Sequence, residues 1–305
     1  MHFPVLLNEV IHYLDPKPGA KIIDATISGG GHAMALLEKI SNGKLLGLEW
    51  DPQIYADLKY KLEHSNYQER VILKNTSYTH IAEQAEKYDL IPVDGILFDL
   101  GISSWHFEAS GRGFSFQRDE PLDMRFDPLG NPITAAEIIN KYSEQDLQAI
   151  IHDFGEERFA KSIARAIVKA RKEKPIISTF QLVKTIRNGM PVWYQKGSAI
   201  RKIHFATRTF QALRIAVNRE LSNITAGLKQ AINLLKRAVN GTSGGKVLVI
   251  TFHSLEDRIV KHFFKEKAAE KVVKILTKKP IMAGETERRE NYRSRSAKLR
   301  VAERI

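Results

Sequence analysis

The chain has 305 residues, no cysteine and a formal net charge of +12. Without cysteine there is no disulfide framework, no thiolate zinc or iron–sulfur site and no thiol nucleophile. With 43% hydrophobic residues, no apolar run as long as a membrane span and no signal-peptide pattern at its start, the expectation is a globular cytoplasmic protein of one large or two smaller domains.

Pro4 to Leu14 carries Val5, Leu6, Val10 and Leu14 at helical spacing and predicts an amphipathic helix. Lys21 to Thr26 is a short apolar strand that ends in polar residues. Ser28-Gly-Gly-Gly31 follows, then a helical stretch from His32 to Ile40. Lys44 to Trp50 is a second strand, and Asp51-Pro52 opens another helix with proline in its first turn. Val71 to Lys74 and Val93 to Leu100 are the third and fourth strands. Strands alternating with helices predict a parallel, right-handedly wound sheet.

The alternation then stops. Gly101 to Gly130 is rich in Gly, Ser, Arg and Asp, too long for a plain connector, and is expected to be functional. Thr134 to about Ile203 reads as helices, one with Ile163, Ala164, Ile167 and Val168 on its apolar face, opened by Glu156-Glu157. Thr207 to Arg237 is helical, Lys246 to Phe252 is a buried-type strand, and Ser254-Leu-Glu-Asp257 looks like a capped helix start. The expected architecture is an α/β domain over 1–108 and 207–305, interrupted by an all-helical insertion over 109–206.

The charge is divided along the chain. Residues 1–159 carry 14 Lys/Arg against 25 Asp/Glu, while residues 160–219 carry 14 basic residues against Glu173 alone. Residues 220–305 carry 19 basic against 9 acidic residues. A basic half of this kind suits an acidic partner such as nucleic acid. Arg288 to Arg304 holds seven basic residues around Tyr292, which fits either phosphate contacts with base stacking or a solvated tail.

The glycine loop after the first strand lets a ligand approach the backbone closely. A dinucleotide site would need G-x-G-x-x-G, and here the third glycine is replaced by Met34. An adenosyl cofactor without a pyrophosphate needs only the close approach. Eighteen residues after Gly31, Glu49 ends the second strand, where a carboxylate can accept both ribose hydroxyls. The plain alternative is a tight turn with a surface glutamate. Asp99 ends the fourth strand, where ligands bind in such sheets, although a strand-end aspartate is often only a cap.

Several unusual strings occur in order: Asp24-Ala-Thr26 with Gly30-Gly31-His32, Asp99-Leu-Gly-Ile-Ser-Ser104 and Arg112-Gly-Phe-Ser-Phe116. Pro121-Leu-Asp-Met-Arg125, Phe154-Gly-Glu-Glu-Arg158, Ala206 to Arg214, Phe252 to Arg258 and Arg293-Ser-Arg-Ser-Ala297 complete the series. Across nearly its whole length the chain resembles the bacterial 16S rRNA (cytosine-N4) methyltransferase family. The resemblance implies a Rossmann-like class I methyltransferase sheet, S-adenosyl-L-methionine as cofactor, and a substrate cytidine in the decoding region of 16S rRNA within the small ribosomal subunit. It implies that Gly30, Gly31 and His32 line the methionine end of the cofactor, that Glu49 holds the ribose and that Tyr78 packs by the adenine. Asp99 would sit near the adenine or the reacting end, as a cofactor contact and the catalytic residue, and His106 would be a further cofactor contact. The helical insertion would recognise RNA. No metal or membrane is implied, and the oligomeric state is left open. The family usually has Gly, Asp, Phe and Gln where this chain has Ser28, Glu49, Tyr78 and His106.

The chemistry is mainly alignment of the amino nitrogen, methyl carbon and sulfur, since the sulfonium methyl is already activated. Asp99 and the carbonyls of Leu100-Gly101 are candidate acceptors for the amino group. Trp105, Phe114 and Phe116 are candidates to stack the extruded base, with core packing as the alternative. C5 methylation of cytosine ordinarily needs a thiolate, so a chain without cysteine is consistent with the exocyclic nitrogen as target. Two rivals are a nicotinamide oxidoreductase and a non-catalytic RNA-binding or ribosome-assembly protein on the same fold.

Overall fold

The computed structural model describes residues 4–197 and 204–305, with the side chains of 195–197 left aside. Two compact units emerge, one made of residues 1–102 and 221–305 and the other of 103–220. The first begins with α1 (Leu7–Leu14), β1 (Lys21–Asp24), α2 (Gly31–Lys39) and β2 (Lys44–Glu49). It continues with α3 (Pro52–Glu63), β3 (Val71–Asn75), α4 (Ile81–Lys87) and β4 (Gly95–Asp99). The second unit holds α5 (Ser104–Glu108), α6 (Ala135–Lys141), α7 (Glu144–Asp153) and α8 (Ala160–Glu173), then α9 (Thr179–Asn188), α10 (Val192–Gly197) and α11 (Thr207–Asn218). The chain returns with α12 (Glu220–Leu234), β5 (Lys246–Thr251), α13 (Ser254–Ala269), β6 (Val273–Ile275), α14 (Glu285–Glu290) and β7 (Lys298–Arg304).

The seven strands form one sheet in the order β3-β2-β1-β4-β5-β7-β6. Strands β1 to β5 are parallel, and β7 runs antiparallel between β5 and β6. This is the expected Rossmann-like α/β sheet. Successive side chains along a strand point to opposite faces, so both faces need cover. Ile23, Leu46, Ile96 and Val249 pack with Ile81, Leu228 and Phe264 on one face. Ile22, Leu45, Leu97 and Leu248 pack with Val10, Leu36 and Leu58 on the other. The strand order reverses between β1 and β4, which opens a crevice beyond their carboxyl ends.

Four local expectations are corrected. The N-terminal helix starts at Leu7, because Leu6 takes a left-handed conformation with φ 55°. Glu156 has φ 47°, so the helix expected to open at Glu156-Glu157 begins at Ala160. The helical stretch expected over Thr207 to Arg237 is two helices divided at Arg219, whose φ of 50° ends α11, and α12 stops at Leu234. Of the basic segment Arg288 to Arg304, Lys298–Arg304 is an inner strand with Leu299, Val301 and Ala302 fully buried, whereas Arg289, Tyr292 and Arg295 before it are exposed. Its alternation is overlaid by arginines, and one of them, Arg300, donates from Nε and Nη2 to the two carboxylate oxygens of Asp257 of α13 at 2.7 and 3.1 Å.

In the helical unit α7 packs on α8, α8 on α9, and α11 on α6 and α7. The packing of α11 draws 207–220 into this unit, which therefore extends beyond the expected 109–206 at both ends. Ile163, Ala164 and Ile167 of α8 are buried, as their spacing predicts, and Val168 is partly so. Among the described residues no helix is long and apolar enough to cross a membrane.

Candidate active site

The first strand ends at Asp24, and its chain turns sharply at once. Thr26 donates its backbone N–H to the Asp24 carboxylate at 3.2 Å, and Gly30 donates to the Ile27 carbonyl at 2.8 Å. Ser28 and Gly30 sit at φ 47° and 82°, the left-handed region in which only glycine is unstrained. Gly30 thus caps α2, and a Cβ there would lie 2.9 Å from Leu58 Cδ1. At Gly31 a Cβ would press on the Pro4 ring at 3.2 Å, whereas at Gly29 it would meet nothing within 4 Å. The open face of the loop is therefore at Gly29, and the closed faces are at Gly30 and Gly31.

Asp24, Glu49 and Asp99 end three adjacent strands, in the crevice that the strand order creates. Asp24 is 1% exposed, and burial pushes its carboxyl up to about 6, against the attraction of His32 and the Thr26 N–H. Asp99 adds a repulsive contribution in the same upward direction. Glu49 is also buried, and desolvation pushes it up to about 8. The backbone N–H groups of Asp51 and Ser28 donate to it, the former at 2.7 Å, while the charges of Asp51 and Asp24 disfavour its ionisation. At neutral pH Glu49 thus mostly keeps its proton. Asp51 itself is spent on structure, capping α3 through the N–H groups of Gln53 and Ile54 at 2.9 and 3.4 Å.

Asp99 is held at its main chain, where its N–H donates to Thr26 Oγ1 at 2.6 Å. Its side chain keeps 23% of its surface exposed and stands 3.7 Å from His32 Nδ1. His32 is buried, and its Nε2 lies 2.9 Å from the Val5 carbonyl oxygen. A carbonyl only accepts, so Nε2 carries the proton and Nδ1 faces Asp99. Tyr78 meets Phe98, the neighbour of Asp99, edge to face at a centroid distance of 5.6 Å. Gly227 of α12 leaves room for that ring, since a Cβ there would lie 2.7 Å from Tyr78 Cδ2.

The structure thus gathers Gly30, Gly31, His32, Glu49, Tyr78 and Asp99 in the α/β unit, at or beside the carboxyl ends of its strands. His106 belongs to the helical unit, where it is buried against Phe114 and Phe126 at 4.9 and 5.1 Å. Phe114 is 6% exposed and stacks on Phe126, so it is a packing residue in that unit. Phe116 stacks on His204 at 4.6 Å, and the Arg112 guanidinium lies 5.1 Å from the Trp105 ring.

The long loop before α6 is wired into place by its own motif residues. Arg112 donates to the carbonyls of Arg125 and Phe126, and Arg125 is bidentate to Asp123. Asn218 of α11 accepts from Phe126 N–H at 2.8 Å and donates to the Met124 carbonyl at 2.7 Å. Among the basic residues of the insertion, Arg171 is tied to the fold, donating to the carbonyls of Ile139 and Tyr142, whereas Arg165 is exposed and lies 3.8 Å from Glu144. Lys169, Lys172, Lys174, Lys184 and Arg187 are exposed, and Arg201 and Lys202 lie outside the described residues.

Asp24, Thr26 and Gly227 are the site residues that sequence reasoning left without a role. The first two stand in the Asp24-Ala-Thr26 string, and an isolated glycine inside a helical pattern is the sequence signal for the third.

A family model described as the MraW methylase family matches residues 1–305. A ribosomal RNA small subunit methyltransferase H of Persephonella marina is 45% identical over 304 residues, covering 100% of this chain and 99% of its own. One of the same name from Carboxydothermus hydrogenoformans is 41% identical over 319 residues, covering 100% and 98%. Among solved structures, an O-methyltransferase of Bacillus cereus in complex with SAH is 10% identical and covers 98% of this chain and 79% of its own, with a TM-score of 0.43.

Proposed function

The chain belongs to the MraW methylase family, a family of S-adenosylmethionine-dependent methyltransferases, and on that premise we propose that it methylates N4 of a cytidine in the decoding region of 16S rRNA. The observation that carries the reading is the set of three carboxyls, Asp24, Glu49 and Asp99, ending adjacent strands around a glycine loop with one open face. The absence of any thiol supports the exocyclic nitrogen over ring C5. The basic residues 160–219 and the relatives' names support ribosomal RNA of the small subunit as substrate.

The donor set fits an adenosyl cofactor. Gly29 leaves space against the backbone, and Glu49 offers a carboxyl at the end of β2 for ribose hydroxyls. Gly30, Gly31 and His32 would border the methionine end, and Tyr78 the adenine. When bound, the cofactor supplies an activated methyl group.

Asp99 performs the orienting step. Its carboxylate accepts an N–H of the cytosine amino group, which turns the nitrogen lone pair toward the methyl carbon and stabilises the positive charge that develops on nitrogen. Thr26 keeps Asp99 at the strand end through the 2.6 Å bond. His32 Nδ1 lies 3.7 Å from Asp99 Oδ2 and borders the carboxylate on that side. The exposed lysines of the helical unit supply positive charge that suits the phosphates of an RNA substrate.

The deciding experiment is tritium transfer from labelled S-adenosylmethionine to small ribosomal subunits that lack the modification, with nucleoside analysis of the product. N4-methylcytidine is the expected product. RNA binding without transfer would support a ribosome-assembly role and overturn the enzymatic reading.

A further inference from the structure

A second feature of the α/β unit lies away from the carboxylates. A cavity of about 260 Å³ is bounded by Lys229 and Ile232 of α12, Phe263 and Lys267 of α13, Glu270 just beyond its end, and Arg304 of β7. Arg304 pairs with Val273, and its neighbour Glu303 pairs with Lys246, the first residue of β5. The cavity therefore sits at the amino ends of the parallel strands, whereas Asp24, Glu49 and Asp99 sit at their carboxyl ends.

Arg304 is 8% exposed, and its Nε has no hydrogen-bond acceptor among the described residues. No described carboxylate lies within ion-pair distance of its guanidinium. Burial, reinforced by the nearby Arg237, pulls its pKa down, so its surroundings disfavour the charge it carries. Lys267 and Glu270 neutralise each other, with Nζ 2.9 and 2.8 Å from the two carboxylate oxygens. Glu270 is thus already engaged, and Lys229 adds a second cation to the wall.

A buried cation without a counter-ion is costly, and the cost is returned when an anion arrives. A guanidinium presents a planar fork of donors that matches phosphate oxygens. We propose that this cavity binds the phosphate group of a nucleotide, held by Arg304 and Lys229 against the apolar wall of Ile232 and Phe263. The volume suits a phosphate with part of its nucleoside, whether free or within single-stranded RNA. This site is independent of the methyl-transfer reading.

The test is thermal unfolding of the whole protein in sodium phosphate against sodium chloride at equal ionic strength. Phosphate raises the melting temperature of the wild type. Arg304→Met melts higher than wild type in chloride, because the unpaired charge is gone, and loses the phosphate-dependent rise. Lys229→Ala, at an exposed position, melts as wild type in chloride and binds phosphate about tenfold more weakly, as expected for one lost charge-assisted bond. Cytidine 5′-monophosphate and a short single-stranded oligoribonucleotide identify the source. Saturation by the monophosphate at the same level as by phosphate marks a free nucleotide, and tighter binding of the oligomer in competition with phosphate marks the RNA chain. No phosphate-dependent rise in the wild type, or an undiminished rise in both variants, overturns the proposal.

Discussion

His32 and Asp99 face each other across 3.7 Å, and the Val5 carbonyl on the other side of the imidazole fixes which nitrogen looks at the carboxylate. The arrangement leaves Asp99 anchored through its main chain and a histidine, with part of its side chain open to solvent. Asp99→Asn keeps the shape and removes the charge. Its single-turnover rate of methyl transfer is expected to fall on the order of 10²-fold, as for loss of one aligned charge-stabilising group. Cofactor affinity, measured by equilibrium binding, should change much less. An unchanged rate would remove Asp99 from the catalytic role.

Glu49 makes stability pH-dependent in a definite direction. Its carboxyl is raised from the model-peptide value of 4.5 to about 8, so the folded state binds a proton that the unfolded state has released. Stability from this group is full below about 4.5 and declines as pH rises through 8. Asp24, raised from 3.8 to about 6, adds a decline in a lower window. Denaturant unfolding of the ligand-free protein should therefore show falling stability from pH 5 to pH 9, and Glu49→Gln should flatten the upper part. Cofactor binding should tighten over the same upper range, because only the ionised carboxylate accepts both ribose hydroxyls.

The three consecutive glycines of the loop should respond differently to alanine. Gly30→Ala forces a Cβ into φ 82° and is expected to cost about 1–2 kcal/mol of stability. Gly29→Ala has open space around the new methyl group and should leave the melting temperature unchanged. It should weaken cofactor binding, since the methyl occupies the face through which a ligand reaches the backbone. Equal effects of the two changes on binding and stability would contradict this division.

Gly227→Ala tests the seat of Tyr78. The added methyl lies 2.7 Å from the tyrosine ring and 3.4 Å from Phe98, so the ring must move. A helical glycine replaced by alanine gains about 1 kcal/mol in propensity, and overpacking costs about 1–3 kcal/mol. Stability should thus change little or fall slightly, while cofactor affinity falls. Calorimetric titration beside thermal melting separates the two effects.

In the helical unit, Asn218→Ala removes the clamp on Phe126 N–H and the Met124 carbonyl. The backbone groups left behind are part of a buried turn, so a loss of about 2–3 kcal/mol is expected. Hydrogen exchange should accelerate first at Phe126, ahead of the helices α7 and α8.

Much of this was legible in the chain itself. The order of strands and helices to Asp99, the glycine loop and the carboxylates at strand ends all follow from periodicity and residue type within short windows. The strand β7 was hidden because arginines overlay its alternation, and the partner that neutralises Arg300, Asp257, lies on a helix 43 residues away in sequence. The break at Arg219 was hidden because one left-handed residue leaves no compositional mark.

By itself the sequence determined the fold class, the family and the candidate groups of the site, since these depend on local pattern and on motif strings. Only the tertiary structure decided the protonation of Glu49, the tautomer of His32, the room made by Gly227 and the isolation of Arg304. Each of these depends on burial and on neighbours brought together from distant parts of the chain, and the net charge of +12 from which the reading began says nothing of either. A charge total counts groups, whereas desolvation and pairing determine what each group does.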